Sequence, residues 1–342
     1  MATRVLIDMP VQHSFLAKLR SIDGVEVEVL PETEVTPVPR PAEVPADLAI
    51  GTEALFCTYP PVNIGDMRKL RFVQISSAGY SQLFGLKLPE RGIRASNARG
   101  CFDVPIAEWN VGMMVNLARD LRRMIRNQDS QIWDRGARFQ VEIRGLVAGI
   151  WGYGGIGRET ARLLRAMGLR VHVLSRRGIG PVENVYAVPG TGDPEGVLPD
   201  RVFLAGEEIA FLSELDFLVL AMPLTPATEG IVGERELRAL PHTAFLLNPS
   251  RGPLIWESAL LQALNEGWIA GAAIDTHYHY PLPPDHPLWR FPNVILTPHI
   301  SGSAQSPHFL DRTWDIFVEN IGRLLEDRPL LNELSPAQLS GA

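Results

Sequence analysis

Short apolar runs alternate with stretches of helical apolar spacing along most of the chain. An alternation of this kind indicates βαβ units and parallel sheets, because strands that are buried on both faces read as continuous apolar runs. Strands are predicted at residues 4–8, 25–30, 47–50, 54–58, 71–75, 93–96, 170–174, 217–221, 244–248, 271–275 and 293–297. A long amphipathic pattern at 306–325 predicts a closing helix that packs back onto the first domain.

One further strand pattern runs directly into a glycine-rich sequence. Leu146–Trp151 is followed by Gly152-Tyr-Gly154-Gly155-Ile156-Gly157, and a helical pattern follows at 158–167. A strand, a G-x-G-x-x-G turn and a helix in this order are typical of dinucleotide-binding domains. The first glycine permits the tight turn, the second lets the backbone approach a pyrophosphate, and the third lets the helix pack closely on the strand. The helix N-terminus would present free N–H groups to the phosphates.

The end of the next strand indicates which dinucleotide is bound. Many NAD-binding domains have a carboxylate there, which accepts a hydrogen bond from the ribose 2′-hydroxyl. This chain has Ser175, Arg176 and Arg177 at that point. Guanidinium groups fit a 2′-phosphate, whereas a carboxylate would repel it. The sequence therefore predicts a preference for NADP(H), with NAD(H) as a second cofactor that the site could accept; a solvated basic turn is the alternative.

Length and composition are consistent with a two-domain protein of the cytoplasm. The chain has 342 residues, more than one hydrophobic core usually supports. Its net charge of −7 argues against a nucleic-acid-binding surface. We expect neither a signal peptide nor a membrane span, and Cys57 and Cys101 do not form a disulfide framework. No metal site is expected, because the pair His277 and His279 lacks a third ligand.

Two stretches rich in proline or glycine interrupt the alternation. The segment from Pro31 to Pro45 contains five prolines and is expected to be a surface loop. The segment 178–207 is too long for an ordinary connection between a strand and a helix. We interpret it as an insertion beside the adenine end of the cofactor or as a mobile loop.

A series of further short motifs lies between about residue 70 and residue 325. They are Ser76–Tyr80, Asn97–Gly100, Val104–Glu108, Met222–Thr228, Leu247–Gly252, Gly271–Asp275 and Thr297–Gly302. In their order and spacing they resemble the D-isomer-specific 2-hydroxyacid dehydrogenase family. The resemblance implies an α/β fold with two doubly wound parallel sheets. A Rossmann-type nucleotide domain, 104–302, would be inserted into a flavodoxin-like substrate domain, 1–103 and 303–342. It also implies a cleft between the domains at the carboxyl ends of the strands, and a homodimer formed through the nucleotide domain.

The resemblance assigns roles in catalysis and substrate binding to matching residues. Arg251 matches the catalytic arginine, whose guanidinium would hold the substrate carboxylate and polarise the carbonyl that receives the hydride. His299 matches the histidine that exchanges a proton with the substrate oxygen. The loop of Ser77, Ala78 and Gly79 would add backbone N–H donors to the substrate carboxylate.

The motif and the resemblance together assign the cofactor-binding residues. They are Gly152, Gly154, Gly155, Ile156, Gly157, Ser175, Arg176, Arg177, Pro223, Thr228, Asn248, Pro249, Ser250, Asp275 and Gly302. By the resemblance, Asp275 would accept a hydrogen bond from the nicotinamide carboxamide. An aspartate directly after a strand is also a common turn former or helix cap, so the residue alone does not decide its role.

The chain departs from the family at Tyr280, where a glutamate normally pairs with the histidine. The sequence reads Asp275-Thr-His-Tyr-His-Tyr280, and no acidic residue follows Asp275 in this stretch. A neutral phenol could orient His299, although it would change the histidine's pKa less than a carboxylate. The alternative is that Tyr280 is a hydrophobic wall of the cleft.

The resemblance implies an NADP(H)-dependent enzyme that transfers a hydride between the nicotinamide and a small 2-oxoacid or D-2-hydroxyacid, such as glyoxylate or hydroxypyruvate. Formate dehydrogenases of the same superfamily also lack the glutamate, and their reaction transfers no proton. Oxidation of an unusual donor by that route is therefore a second hypothesis. A third is a cofactor-sensing interaction protein similar to the corepressors of the family.

Overall fold

The computed structural model describes residues 2–31, 43–136 and 140–340. Most of the proline-rich segment that was predicted as a surface loop, residues 32–42, lies outside these ranges. The chain divides into two compact units. The first unit comprises Met1–Cys101, Glu183–Val188 and Gln305–Ala342, and the second comprises Phe102–Val182 and Pro189–Ala304. The assignment of a substrate domain and a nucleotide domain with boundaries after residues 103 and 302 stays a prediction.

Twelve β-strands and ten α-helices lie within the described residues, besides short 3-10 helices. The strands are β1 (Thr3–Asp8), β2 (Val25–Val29), β3 (Ala54–Cys57), β4 (Phe72–Ile75), β5 (Arg94–Ser96), β6 (Val147–Trp151), β7 (Arg170–Ser175), β8 (Arg201–Leu204), β9 (Phe217–Leu220), β10 (Phe245–Asn248), β11 (Gly271–Ile274) and β12 (Val294–Leu296). The helices are α1 (His13–Arg20), α2 (Ala46–Gly51), α3 (Asp103–Ala118), α4 (Leu121–Asp129), α5 (Gly155–Ala166), α6 (Glu208–Leu212), α7 (Glu234–Ala239), α8 (Glu257–Glu266), α9 (Pro307–Leu325) and α10 (Pro336–Leu339).

The first unit is built on a five-stranded parallel sheet with the order β2-β1-β3-β4-β5. This is the flavodoxin-like doubly wound order. Helix α9 covers the sheet with buried aromatic side chains: Phe317 stacks on Phe56 with 4.6 Å between ring centroids, and Trp314 meets Phe56 edge-on at 5.4 Å. The closing helix therefore packs where its amphipathic pattern predicts. Within the described ranges, no helix combines the length and the apolar character needed to cross a membrane.

The second unit is built on a seven-stranded parallel sheet with the order β12-β11-β10-β9-β6-β7-β8. Counted from β6, this is the Rossmann order of strands with one strand added. The strands β7 and β8 are added on one side of β6 and the strands β9 to β12 on the other, so the strand order reverses between β6 and β9. Ligands of such sheets bind outside the carboxyl ends of the strands at that point. Gly152 directly follows β6 there. The predicted α/β class with two doubly wound parallel sheets is confirmed.

One prediction about a single element is wrong, and one strand was not predicted. Residues 47–50, expected as a strand, belong to helix α2. A run of so few apolar residues fits the period of a strand and that of a helix equally well. Pro45 is the N-cap of this helix, and the Ile50 side chain faces solvent. In addition, β8 lies within the predicted insertion at 178–207. It is an edge strand that pairs only with β7 and buries only Phe203 of its four residues, so its apolar signal is weak.

Candidate active site

The glycine-rich turn between β6 and α5 has the geometry that its motif requires. Gly152 has a φ of +98°, and a Cβ atom at this position would lie 2.6 Å from the carbonyl oxygen of Ala221. A Cβ atom on Gly157 would lie 2.5 Å from the carbonyl oxygen of Gly152, so the helix approaches the turn as closely as glycine permits. Among the described residues, no atom other than those of the adjoining chain lies within 4 Å of the corresponding position on Gly154, which leaves open space at the start of the helix. The residues therefore fit a bound pyrophosphate.

The turn after β7 presents two arginines to solvent. Ser175 donates a hydrogen bond from its hydroxyl to the carbonyl oxygen of Gly178 at 2.8 Å, which closes the turn. Arg176 and Arg177 are exposed, and no hydrogen bond or ion pair involves either side chain within the described part of the chain. Both guanidinium groups are therefore uncommitted where the predicted 2′-phosphate would lie.

Hydrogen bonds made by Asn248 and Ser250 fix the loop that carries Arg251. Asn248, the last residue of β10, accepts a hydrogen bond from Ser250 N at 3.1 Å and donates one to the Arg251 carbonyl at 2.9 Å. The Ser250 hydroxyl donates to the carbonyl oxygen of Leu220 at 2.7 Å, which ties the loop to β9. The guanidinium of Arg251 donates to its neighbour's carbonyl at 2.7 Å and is otherwise exposed. The loop thus presents a positive charge to solvent.

A second loop carries His299, and the carboxylate of Asp275 fixes it. One oxygen of this fully buried carboxylate accepts hydrogen bonds from the Thr297 hydroxyl and from Ile300 N, and the other accepts from Ser301 N and the Ser301 hydroxyl. His299 N donates to the backbone carbonyl of Asp275 at 2.8 Å. His299 itself has a φ of +57°, a left-handed conformation that costs energy in a residue with a side chain. The bonds on both sides of His299 hold it in this conformation.

This role of Asp275 in holding the His299 loop is not among those predicted from the sequence. Its predicted contact with the nicotinamide carboxamide stays a prediction, and such a contact would add to two donors already present on each oxygen. A signal was present in the hydroxyl residues Thr297 and Ser301, which flank His299 at two residues on either side. Side chains of this kind often satisfy a buried carboxylate.

The surroundings of His299 lower the pKa of its imidazole below the ordinary value of 6.5. Neighbouring protein atoms displace water from the ring and disfavour the charged imidazolium, and the Arg251 guanidinium and His277 act in the same direction. Asp275 opposes them. His299 therefore loses its proton at a lower pH than a solvated histidine does.

Tyr280 lies against His299 without a hydrogen bond to it. The two ring centroids are 5.5 Å apart and the planes are inclined by 56°. The Tyr280 hydroxyl accepts a hydrogen bond from His277 N at 3.3 Å, and none joins it to His299 among the described residues. The phenol ring thus forms a wall beside the imidazole, with 59% of the residue exposed. The expected hydrogen bond that would orient His299 is not made, because the hydroxyl is directed to the backbone of its own loop.

The neighbouring His277 is buried and has a structural partner. One ring nitrogen, Nε2, lies 2.9 Å from the carbonyl oxygen of Thr297. Because a carbonyl only accepts, Nε2 carries the proton. His277 therefore helps to hold the loop that carries His299.

The loop assigned to the substrate carboxylate belongs to the first unit. The Asn97 side chain donates to the Ala78 carbonyl at 2.6 Å, the Ser77 hydroxyl donates to the Gly79 carbonyl at 2.7 Å, and Gln82 donates to that hydroxyl at 2.7 Å. No hydrogen bond uses the N–H groups of Ala78 and Gly79 within the part of the chain that the structure describes. The loop therefore has its carbonyls occupied and its N–H donors available.

The remaining cofactor candidates also lie at the strand ends of the second unit. Thr228 donates from its hydroxyl to the Pro223 carbonyl at 2.8 Å and accepts from Thr225 N at the same distance, so the segment after β9 forms a compact turn. A Cβ atom on Gly302 would lie 2.9 Å from the ring of Phe102, which explains the glycine there by close packing.

Comparison with known proteins identifies relatives of this arrangement. The model of the family described as D-isomer specific 2-hydroxyacid dehydrogenase, NAD binding domain, matches residues 111–301. The chain is 32% identical over 239 residues to a glyoxylate reductase of Thermofilum pendens, an alignment that covers 69% of this chain and 66% of that protein.

Solved structures show the same fold. A D-isomer specific 2-hydroxyacid dehydrogenase family protein from Aeromonas salmonicida has a TM-score of 0.77 at 24% identity, covering 98% of this chain and 99% of that one. An NADPH-dependent glyoxylate/hydroxypyruvate reductase from Sinorhizobium meliloti, in complex with NADP and sulfate, has a TM-score of 0.71 at 23% identity, covering 99% of this chain and 100% of that one.

We predict that Tyr280→Glu raises the pKa of His299, because a carboxylate beside the imidazole stabilises its charged form. Tyr280→Gln is the matched control, since it removes the ring without adding charge. Titration of the His299 ring signals by NMR measures the effect. An equal pKa in the two variants would show that the side chain at 280 does not act on His299 electrostatically.

Proposed function

Because the chain belongs to the D-isomer-specific 2-hydroxyacid dehydrogenase family, and is therefore a nicotinamide-dependent oxidoreductase, we propose that it reduces a small 2-oxoacid of the glyoxylate or hydroxypyruvate type with NADPH. The observation that carries the proposal is the exposed guanidinium of Arg251 together with the imidazole of His299, whose pKa that guanidinium helps to lower. Both follow strands of the sheet whose central turn fits a dinucleotide. We also place this reaction in the cytoplasm, where reduced cofactor is available.

The turns after β6 and β7 would bind different parts of the cofactor. Gly152, Gly154 and the N-terminus of α5 would receive the pyrophosphate, and Arg176 and Arg177 would receive the 2′-phosphate. The cofactor, when bound, supplies a hydride to the carbonyl carbon of the substrate.

The chemistry of a 2-oxoacid explains the roles of Arg251 and His299. Arg251 neutralises the substrate carboxylate and stabilises the negative charge that develops on the carbonyl oxygen as the carbon is reduced. The imidazolium of His299 gives its proton to that oxygen, so that the hydroxyl of the product forms and the ring becomes neutral. The N–H groups of Ala78 and Gly79 are the further donors that we assign to the carboxylate.

The two other hypotheses make different demands on the site. Oxidation of a donor such as formate needs no proton exchange at His299, and a corepressor-like protein needs cofactor binding without turnover. Hydrogen bonds to Asp275 on both sides of His299 hold it in a left-handed conformation, which supports a role for a fixed imidazole such as the one that the reductase would use. The geometry therefore favours the reductase.

The central test is NADPH oxidation against a panel of 2-oxoacids, with NADP⁺ reduction by hydroxyacids and by formate measured in parallel. We expect turnover of small 2-oxoacids, and Arg251→Ala should reduce it about 10²- to 10³-fold, because a preorganised stabiliser of the developing charge is lost. NADPH affinity should change little.

Arg290→Ala is the control, since this arginine is also exposed in the second unit. Turnover of formate alone would favour the formate-dehydrogenase-like mechanism. Cofactor binding without any turnover would favour the corepressor-like protein.

Replacement of Arg176 and Arg177 by alanine should remove most of the preference for NADPH over NADH. Charge-assisted hydrogen bonds to a phosphate are worth about 1.5–3 kcal/mol each. The measurement is the ratio of the kcat/KM values for the two cofactors. Arg170→Ala, at the exposed start of β7, is the control for general loss of positive charge. Equal kcat/KM values for NADPH and NADH in the unmutated enzyme would contradict the proposed preference.

The rate of reduction should fall as the pH rises, and the fall should begin below pH 6.5. Reduction consumes the proton of the His299 imidazolium, and the lowered pKa of His299 removes this form at a lower pH than in a solvated histidine. A pH–rate profile at saturating NADPH measures the effect, with circular dichroism at each pH as the control for folding. A rate that stays constant beyond pH 7 would assign proton donation to another group.

We also propose a homodimer formed through the second unit. Helix α4 exposes Leu121 and Ile125, and the segment after it exposes Ile132 and Trp133, the latter at 89%. Apolar patches of this kind mark protein interfaces.

Light scattering should give twice the chain mass of 37.8 kDa, and Trp133→Glu should shift the measured mass toward that of a monomer. Val197→Glu, at an exposed valine elsewhere, is the control. A monomeric unmutated protein would contradict the proposal.

A further inference from the structure

The glycine-rich turn has a side-chain contact with the insertion at 178–207. Tyr153, the residue between Gly152 and Gly154, is buried, and its hydroxyl donates a hydrogen bond to the Asp193 carboxylate at 2.6 Å. Asp193 is only 3% exposed and also accepts from the backbone N–H groups of Val197 and Leu198, each at 3.0 Å. One carboxylate thus joins the insertion to the turn.

The first turn of α5 is bound to the same part of the insertion. The Arg158 guanidinium donates to the backbone carbonyls of Asp193 and Gly180, and it lies over the Tyr153 ring with 5.0 Å to the centroid. Glu159, 1% exposed, accepts a hydrogen bond from Gly192 N at 2.6 Å. Tyr153, Arg158 and Glu159 thus each form a hydrogen bond to a residue of the insertion. A mobile loop, one of the two interpretations of the sequence, does not describe this part.

The protonation states strengthen the contact between Tyr153 and Asp193. Burial alone would raise the pKa of Asp193, but the hydrogen bonds from Tyr153, Leu198 and Val197 together lower it below its ordinary value. Burial, and then the bond to Asp193, raise the pKa of the Tyr153 phenol. At neutral pH a protonated phenol therefore donates to an ionised carboxylate, which is a strong type of hydrogen bond.

We propose that Tyr153 and Asp193 are positioning residues for the cofactor's pyrophosphate, through which the insertion holds the glycine-rich turn in its binding conformation before the cofactor arrives. The inference rests on the proposed function in that the turn binds a dinucleotide. Glycine loses more backbone freedom than any other residue when it becomes ordered, and the turn has a glycine on each side of Tyr153. A site that is already ordered loses less entropy on binding, so its affinity is higher.

Tyr153 would act on binding of the pyrophosphate, whereas Arg176 and Arg177 would bind the 2′-phosphate. Those arginines would distinguish NADPH from NADH. Tyr153 would act equally on both, because both contain the pyrophosphate. It would not act on adenosine 2′-monophosphate, which has the adenine, the ribose and the 2′-phosphate but no pyrophosphate.

The test is Tyr153→Phe in the full chain, with the Kd values of NADPH, NADH and adenosine 2′-monophosphate measured by calorimetry. We expect the Kd values of both dinucleotides to rise about tenfold, the effect of losing one hydrogen bond to a charged group. The Kd of adenosine 2′-monophosphate and the kcat at saturating NADPH should stay unchanged. Tyr278→Phe is the matched control, because this buried phenol of the same unit donates to the Ile255 carbonyl at 2.8 Å and does not touch the turn.

Asp193→Asn gives a second route to the same answer. This substitution keeps the shape of the side chain and should raise the Kd of both dinucleotides. The double variant should bind the dinucleotides no more weakly than the single variant with the higher Kd, because both substitutions act on the same Tyr153–Asp193 interaction. Unchanged dinucleotide binding in Tyr153→Phe would overturn the inference, and so would an equal loss of adenosine 2′-monophosphate binding. An unmutated protein that binds neither dinucleotide would overturn the proposed function and the inference with it.

Discussion

The buried carboxylate of Asp275 accepts four hydrogen bonds from the loop that follows β12, and the position of His299 depends on this interaction. Removing a carboxylate from water is costly unless hydrogen bonds replace those that water made. Two hydroxyls and two backbone N–H groups do so here, and they come from Thr297, Ile300 and Ser301. The same carboxylate therefore joins the ends of two neighbouring strands and holds His299 in a left-handed conformation that it would not otherwise adopt.

The electrostatic balance around His299 follows from this geometry and from the absence of an acidic residue at position 280. Arg251 and partial burial lower the pKa of His299, and the phenol ring of Tyr280 contributes contact without charge. A lower pKa makes the imidazolium a stronger acid, and a stronger acid transfers its proton more readily to a developing alkoxide. The same lowered pKa leaves a smaller fraction of His299 rings protonated at neutral pH than a solvated histidine would have, so the donor is more acidic but less abundant.

The cofactor side of the site combines two kinds of group. Arg176 and Arg177 are exposed and uncommitted, as is expected of charges that wait for a phosphate. The glycine-rich turn is instead joined to the insertion through Tyr153 and Asp193, whose bond links residues 40 positions apart. We therefore propose that affinity for the shared dinucleotide and discrimination between the two cofactors depend on different residues, so that each property can be varied independently.

The sequence by itself determined the features that depend on local periodicity. Apolar runs predicted most strands of both parallel sheets, and the glycine spacing predicted the turn after β6. The positions of Arg251 and His299 followed from the resemblance of their short motifs. These signals are readable because backbone conformation and burial repeat with the period of a helix or a strand. The run at 47–50 and the edge strand β8 were too short or too polar to show that period.

Only the tertiary structure decided which polar groups meet. Asp275 and Ser301 are 26 positions apart, and nothing local to either residue indicates that the carboxylate holds the histidine loop. The Tyr280 hydroxyl accepts a hydrogen bond from His277 N of its own loop, and the phenol ring lies against His299. Hydrogen bonds of this kind are short-ranged and directional, so chain segments must already be packed before such a pair can form. For that reason the sequence indicated the residues of the site, and the fold decided how they are held.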